Sequence, residues 1–230
     1  CYRSHQRLWA VIVAKVINLT LHYGNVPQLG YSHTAYGGLL GYVWRDYKTG
    51  EEFGKVATRL MTEKFTNPSD QSVFYLMIGS SLRHWSKHLK YATADYHEAY
   101  NIGLASGNLQ YAAYAFGHNM YCRFYQGINL AELFKEIDGY LSFSRTRRNQ
   151  WAIDLMEGGQ MVILYLLGEG QGATPADFCK DQMTEPQYIA RCEANKNIQV
   201  LAVYHILKTW ALYLQGHYSE ALASFNEGEQ

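Results

Sequence analysis

The most constraining stretch of this chain is its last, GHYSEALASFNEG at residues 216–228. Gly216 follows a long apolar-periodic segment, and a residue without Cβ can take the left-handed conformation that ends a helix. Tyr218, Ala221 and Phe225 then recur at i, i+3 and i+7, which puts all three on one side of a following helix. The expected packing has Tyr218 wedged into the turn, Ala221 admitting a neighbouring helix and Phe225 filling the gap above it. A chain built of such units folds as packed helical hairpins.

Helical periodicity runs through the rest of the sequence, and no convincing strand alternation appears. Leu8, Val11, Ile12, Val16 and Leu19 form a first helical stripe that ends near Tyr23-Gly24-Asn25. A second helix is expected from about Pro27 to Tyr47. Gly50 is read as a break, with a third helix marked by Phe53, Val56, Ala57, Leu60 and Met61. Asn67-Pro68-Ser69-Asp70 supplies an N-cap for a fourth helix that runs toward Trp85. Leu89 to Gly103 forms the fifth, closed by Ser106-Gly107-Asn108. Tyr111 to Tyr125 forms the sixth, ended by Gly127. Leu130 to Leu141 and Trp151 to Leu167 follow. Residues 172–194 look least regular, Asn195 to Gln215 reads as one long helix, and Tyr218 to Gly228 as the last. The four prolines, at positions 27, 68, 175 and 186, fall between periodic segments, where helices start or stop.

The segment Ile17–Asn25 is echoed by Tyr100–Asn108, both reading as a helix that closes on Gly-Asn. The interval is roughly 80 residues, or two helix pairs of about 40 each, within the range of helical-pair repeats. With no stretch resembling an interdomain linker, residues 1–230 are expected to form a single helical-repeat domain. The fold class expected is all-α, a tetratricopeptide (TPR)-like α-α superhelix, a right-handed solenoid of about five irregular hairpins. Because the chain starts at Cys1, it is expected to be a fragment of a larger multidomain protein.

Twenty basic residues balance 20 acidic ones, so no net charge draws the chain to nucleic acid or to an anionic membrane. The cluster Arg145, Arg147, Arg148 reads as a solvated helix end. Cys1, Cys122, Cys179 and Cys192 include no C-x-x-C pair, which suits reduced thiols and a cytoplasmic location. The longest apolar runs, Leu8–Ala14 and Met161–Leu167, fall short of a membrane span, and no signal peptide is visible. Asn18-Leu19-Thr20 matches a glycosylation sequon but lies inside a helical pattern.

Motifs for chemistry are sparse. Gly50-Glu51-Glu52-Phe53-Gly54-Lys55-Val56 has too few residues between its glycines for a P-loop, and no Ser or Thr follows Lys55. It reads as a turn and helix start, with Glu51 and Glu52 at the positive end of the dipole. Gly168–Gly172 follows a helix and reads as a loop. His84 and His88, at i and i+4, have metal-chelating spacing, but Trp85 stands where H-E-x-x-H chemistry needs Glu. Two further ligands are lacking locally, so packed or surface histidines are expected. Cys122 and His118 share a helix face, where a core thiol is the expected role. Tyr114, His118, Tyr121 and Tyr125 recur at i, i+4, i+7 and i+11. They are the candidate lining of a binding groove, with helix packing as the alternative. No catalytic, cofactor-binding or metal-binding residue is assigned.

Several segments resemble the helical region of bacterial, best known from cyanobacteria, hybrid signalling proteins. These proteins join a Ser/Thr kinase, a STAND-class AAA ATPase, a helical repeat region, a GAF domain and a sensor histidine kinase. VINLTLHYGNVP at 16–27 is similar to the family's NLSLKYGNSP, and RHWSKHL at 83–89 to its HWKEHL. Ala99-Tyr100, Gly103-Leu104, Gly107-Asn108-Leu109 and Tyr111 to Ala115 resemble its EAYQSGLETGDLEYAAYA. Tyr165 to Gly168 and the Gly216 to Phe225 turn also fit. The resemblance covers residues 10 to 228 and rests on packing positions. It implies a non-catalytic regulatory scaffold within a two-component signal-transduction kinase, contacting proteins or neighbouring domains of its own chain. The catalytic domains of such a parent lie outside this sequence. A second expectation is a small-molecule sensor that binds its ligand in an aromatic-lined groove, and a third, the weakest, is an all-α enzyme.

Overall fold

The computed structural model describes residues 5–27, 29–169, 178–181 and 183–228, with only the backbone of Gln6. It is all-α apart from one very short hairpin. Packing gathers the chain into two compact units, Cys1–Gln126 and Gly127–Gln230.

The first unit contains α1 (Gln6–Tyr23), α2 (Leu29–Trp44), α3 (Tyr47–Arg59), α4 (Pro68–Ile78), the single turn α5 (His84–Ser86), α6 (Lys90–Ser106) and α7 (Leu109–Tyr125). Both α3 and α4 end in a π-helical turn, at Leu60–Lys64 and Gly79–Arg83. As expected, Asn67 caps α4, its Oδ1 accepting from the Ser69 and Asp70 N–H groups at 2.9 and 3.3 Å. The stripe read along α1 is not its buried side. Val13, Ile17 and Thr20 are buried, whereas Leu8, Val11, Ile12 and Leu19 are exposed. Apolar residues populate both sides of this helix, so periodicity alone does not choose between them.

Gly50 does not break the chain. Asp46 caps α3, accepting from the Thr49 N–H at 3.0 Å, and both Gly50 and Gly54 lie inside the helix. Glu51 and Glu52 therefore occupy its second turn, not its start. A Cβ at Gly50 would stand 2.7 Å from the Gly37 carbonyl oxygen, and one at Gly37 would stand 2.7 Å from that of Gly50. The glycines thus serve backbone-to-backbone approach of α2 and α3. Phe74, Met61, Ala57, Ile78 and Leu82 form one core of this unit, and Tyr96, Ala92, Ala99, Ala115 and Leu76 another.

The second unit contains α8 (Leu130–Thr146), α9 (Gln150–Leu167), β1 (Cys179–Lys180), β2 (Met183–Thr184), α10 (Glu185–Ala194), α11 (Ile198–Leu214) and α12 (Tyr218–Gly228). The strands pair antiparallel, Cys179 opposite Thr184. The region read as irregular therefore holds an ordered helix, α10, with Pro186 in its first turn. The expected long helix from Asn195 starts later, because Asn195-Lys196-Asn197 is a turn. Residues 170–172 of the glycine-rich loop lie outside the described residues. α9 is the centre of this unit, buried nearly continuously from Asp154 to Ile163.

The Gly216 turn forms as expected, with φ +82° and a bond from the His217 N–H to the Leu212 carbonyl at 2.9 Å. The following helix is rotated from the expectation. Only Ala221 of the three stripe residues is buried, whereas Tyr218 and Phe225 are exposed. The buried residues are Ala221 and Ser224, and half-buried Gly228 also faces α11, where a Cβ would meet His205 Cβ at 2.9 Å. Small residues, not aromatic knobs, seat α12 on α11.

Candidate functional site

The first unit has a cleft of about 450 Å³ between α1, α2 and the π-turn that follows α4. Small residues on α2 shape it. A Cβ at Gly38 would lie 3.1 Å from Ser81 Cβ, and one at Gly41 would lie 3.2 Å from Trp85 Cδ1. The absence of side chains there lets the π-turn and α5 come close to α2. The π-turn is held from behind by α6. Arg83 donates to Asp95 through Nε at 2.5 Å and through Nη2 at 2.9 Å, a two-pronged pairing that fixes orientation. A Cβ at Gly79 would stand 2.9 Å from Tyr96 Cε1, so the turn sits tight on α6. Such π-turns recur at functional sites because the extra residue redirects side chains.

The walls follow from these anchors. Trp9 and Ala10 come from α1, with the Trp9 Nε1–H donating to the Tyr31 hydroxyl at 3.0 Å. Ala35, Leu39, Tyr42 and Val43 come from α2. Trp85 completes the apolar lining and stacks on Tyr47, centroids 5.2 Å apart and planes 28° apart. Ser80, Ser81, His84 and Arg7 are the polar contributors. The His84 ring lies 4.4 Å from that of Trp85, and its burial there lowers its pKa, although the residue as a whole is exposed.

His84 and His88 do not share a helix face. α5 stops at Ser86, Lys87 is extended (φ −140°, ψ 161°), and His88 Nδ1 instead accepts from the Lys90 N–H at 3.1 Å. Among the described residues no group of three or more His, Cys, Asp and Glu stands close enough to hold a metal.

The groove candidates Tyr114, His118, Tyr121 and Tyr125 lie along α7. The first three are half-buried and Tyr125 is exposed. Gln110 Nε2 donates to the Tyr114 hydroxyl at 2.7 Å, and His118 stacks on Tyr96 with planes 20° apart. Burial lowers the His118 pKa to about 4 and raises that of Tyr121. The cleft lies elsewhere in this unit and includes none of the four. Cys122 makes no pair with His118. Its thiol donates to the Leu89 carbonyl at 3.3 Å, and burial raises its pKa, against the hydrogen bonds to Thr93 and Gln126. A thiol so held is a poor nucleophile at neutral pH.

The second unit holds a buried ionic cluster that sequence reasoning missed. Asp154 and Glu157 project from α9 into the core. Asp154 Oδ1 accepts from Gln150 Nε2 at 2.8 Å and contacts Arg191 Nε at 3.0 Å, while Oδ2 accepts from Asn195 and Asn197 at 3.0 and 2.6 Å. Arg145 and Arg191 both donate to Glu157. Burial raises the Glu157 pKa, but the two arginines outweigh it and hold the carboxyl below its ordinary value. Arg145, read as part of a solvated helix end, therefore ties α8 to α9. With every carboxylate oxygen engaged by protein donors, this cluster fixes helices and offers no open position for a substrate.

Ser224, His205 and Glu227 also converge, but not as a nucleophile triad. The serine hydroxyl (3.2 Å) and the Glu227 carboxylate (3.6 Å) both approach His205 Nδ1. A triad needs the serine and the acid on different ring nitrogens. No helix of the described residues is long and apolar enough to cross a membrane. No protein-family model matches the chain, nor does any curated protein or solved structure.

Proposed function

We propose that this chain is a non-catalytic, TPR-like scaffold segment of a multidomain signal-transduction kinase, and that it mediates contacts with proteins or with neighbouring domains. The observation that carries this reading is a pair of open apolar helix faces. In the first unit, α1 leaves Leu8, Val11, Ile12 and Leu19 in solvent. In the second, α11 and α12 expose Ile206, Tyr213, Leu214, Leu222 and Phe225. Scattered exposed apolar residues are ordinary, but clustered ones on one helix side mark surfaces that other protein covers. Helix pairs in repeat arrays bury such faces against the next pair. The short turns favour the same reading, because several close with one shared device. The N–H of Asn149, Asn197 and His217 each bonds the carbonyl five residues back, at 3.0, 2.9 and 2.9 Å. The parent kinase itself follows from the sequence resemblance.

Hydrogen exchange tests the proposal. Amides of α1 and of α11–α12 are compared in the chain alone and in the intact protein that carries it. The expected result is exchange slowed at least ~10-fold on those helices in the intact protein, because docking suppresses local opening. Equal rates in both would remove the proposal.

A further inference from the structure

The cleft between α1, α2 and the π-turn is independent of the scaffold reading, and its chemistry is specific. Its volume of about 450 Å³ lies within the range of small-molecule sites. Three flat aromatic side chains, Trp9, Tyr42 and Trp85, meet there from three separate elements. Trp85 is pre-set by its stack on Tyr47, and Trp9 by its hydrogen bond to Tyr31. Ordering cost on binding is therefore already met in the fold. The charge of the site is one-sided. Arg7 and His84 are its basic lining residues, and no Asp or Glu lines it among the described residues. Arg7 is exposed and has no acidic partner among the described residues.

Each class of ligand meets these groups differently. A cation would be opposed by Arg7. A neutral apolar molecule would leave the guanidinium unused. A planar ring gains most from flat aromatic walls, by stacking or edge contact, and a carboxylate matches the guanidinium fork. We propose that this cleft binds a small planar aromatic carboxylate, its ring held among Trp9, Tyr42 and Trp85 and its carboxylate paired with Arg7.

Titration calorimetry of the whole chain with naphthylacetate, and with the uncharged naphthylacetamide, tests this. The carboxylate should bind saturably, one per chain, and at least ~10-fold more tightly than the amide, equivalent to about 1.4 kcal/mol. Arg7→Gln should abolish that preference and keep the amide affinity. Ala10→Trp should fill the cleft and remove both affinities. Should Ala10→Trp fail to fold, the indole N–H signals of Trp9 and Trp85 in the unaltered chain give the same answer, since both must shift on titration. Several results would overturn the proposal: no saturable binding up to ~5 mM, equal binding of the two probes, or shifts confined to the Tyr114 side of α7. Indole signals that broaden with protein concentration and sharpen on dilution would place a second copy of the chain in the cleft, and would also overturn it. Failure of these outcomes leaves the hydrogen-exchange test of the scaffold untouched.

Discussion

Replacing Gly50 with alanine should destabilise the first unit, whereas the same change at Gly139 should stabilise the second. Both glycines sit inside helices, α3 and α8, and both substitutions improve intrinsic helix propensity by about 0.5–1 kcal/mol. Their surroundings differ. A Cβ at Gly139 meets nothing within 4 Å. A Cβ at Gly50 meets the Gly37 carbonyl oxygen at 2.7 Å, against an ordinary C···O contact of about 3.3–3.6 Å. The obstacle is backbone, so α2 and α3 must part by roughly 0.6 Å, and overpacking of this kind costs about 1–3 kcal/mol. Net of propensity, Gly50→Ala should lose about 1 kcal/mol at the midpoint of the range and up to about 2.5 kcal/mol, and Gly139→Ala should gain about 0.5–1 kcal/mol. The assay is thermal and urea unfolding followed by helical circular dichroism. For units of about 100 residues, 1 kcal/mol moves the midpoint by about 4–8 °C. The two variants should shift in opposite directions. A Gly50→Ala chain as stable as the parent would refute the claim that α2 and α3 touch backbone to backbone.

Asp154→Ala should cost about 3–5 kcal/mol in urea unfolding, because it leaves half-buried Arg191 and two asparagine amides without their buried acceptor. His118, with a folded pKa of about 4 against ~6.5 when unfolded, should lower stability in acid. The unfolded chain takes up the proton first, so stability is intact above pH ~6.5 and falls toward pH ~4, by at most about 1.4 kcal/mol per pH unit. An imidazole NMR titration that places His118 near 6.5 would contradict this. Lys196, held at φ +56°, should gain about 1 kcal/mol on replacement by glycine in a thermal melt, and Gly216→Ala, at φ +82°, should lose a similar amount.

The left-handed turns show what the sequence makes visible. Gly107, Gly127 and Gly216 announce their positive φ, and the helix ends near them were expected at the right places. Arg45, Arg148 and Lys196 adopt the same conformation without a glycine. In the sequence, the turn at 195–197 therefore reads as the start of the long helix. Local sequence cannot reveal a strained residue whose cost is offset by the hydrogen bond closing the turn. Gly50 misleads in the opposite sense, because its reason for being glycine is Gly37 on another helix. The same holds for function. The Tyr114, His118, Tyr121 and Tyr125 stripe is a pattern within one helix and was legible. The cleft assembles Trp9, Tyr42 and Trp85 from three elements, and the buried Asp154 cluster draws on α9 and the α10–α11 turn, so neither has a local signature. The His84 and His88 spacing was visible but misleading, since the helix stops between them.

The proposed scaffold role rests on the open helix faces. Its most direct test is the affinity of the chain for the separately produced domains of the multidomain protein proposed to carry it, measured with and without Leu214→Glu and Leu222→Glu. Both leucines are exposed, so the fold should survive the changes. The account predicts saturable binding of at least one such domain, weakened ~10-fold or more by the two charges. Binding that is absent, or indifferent to both substitutions, would contradict it.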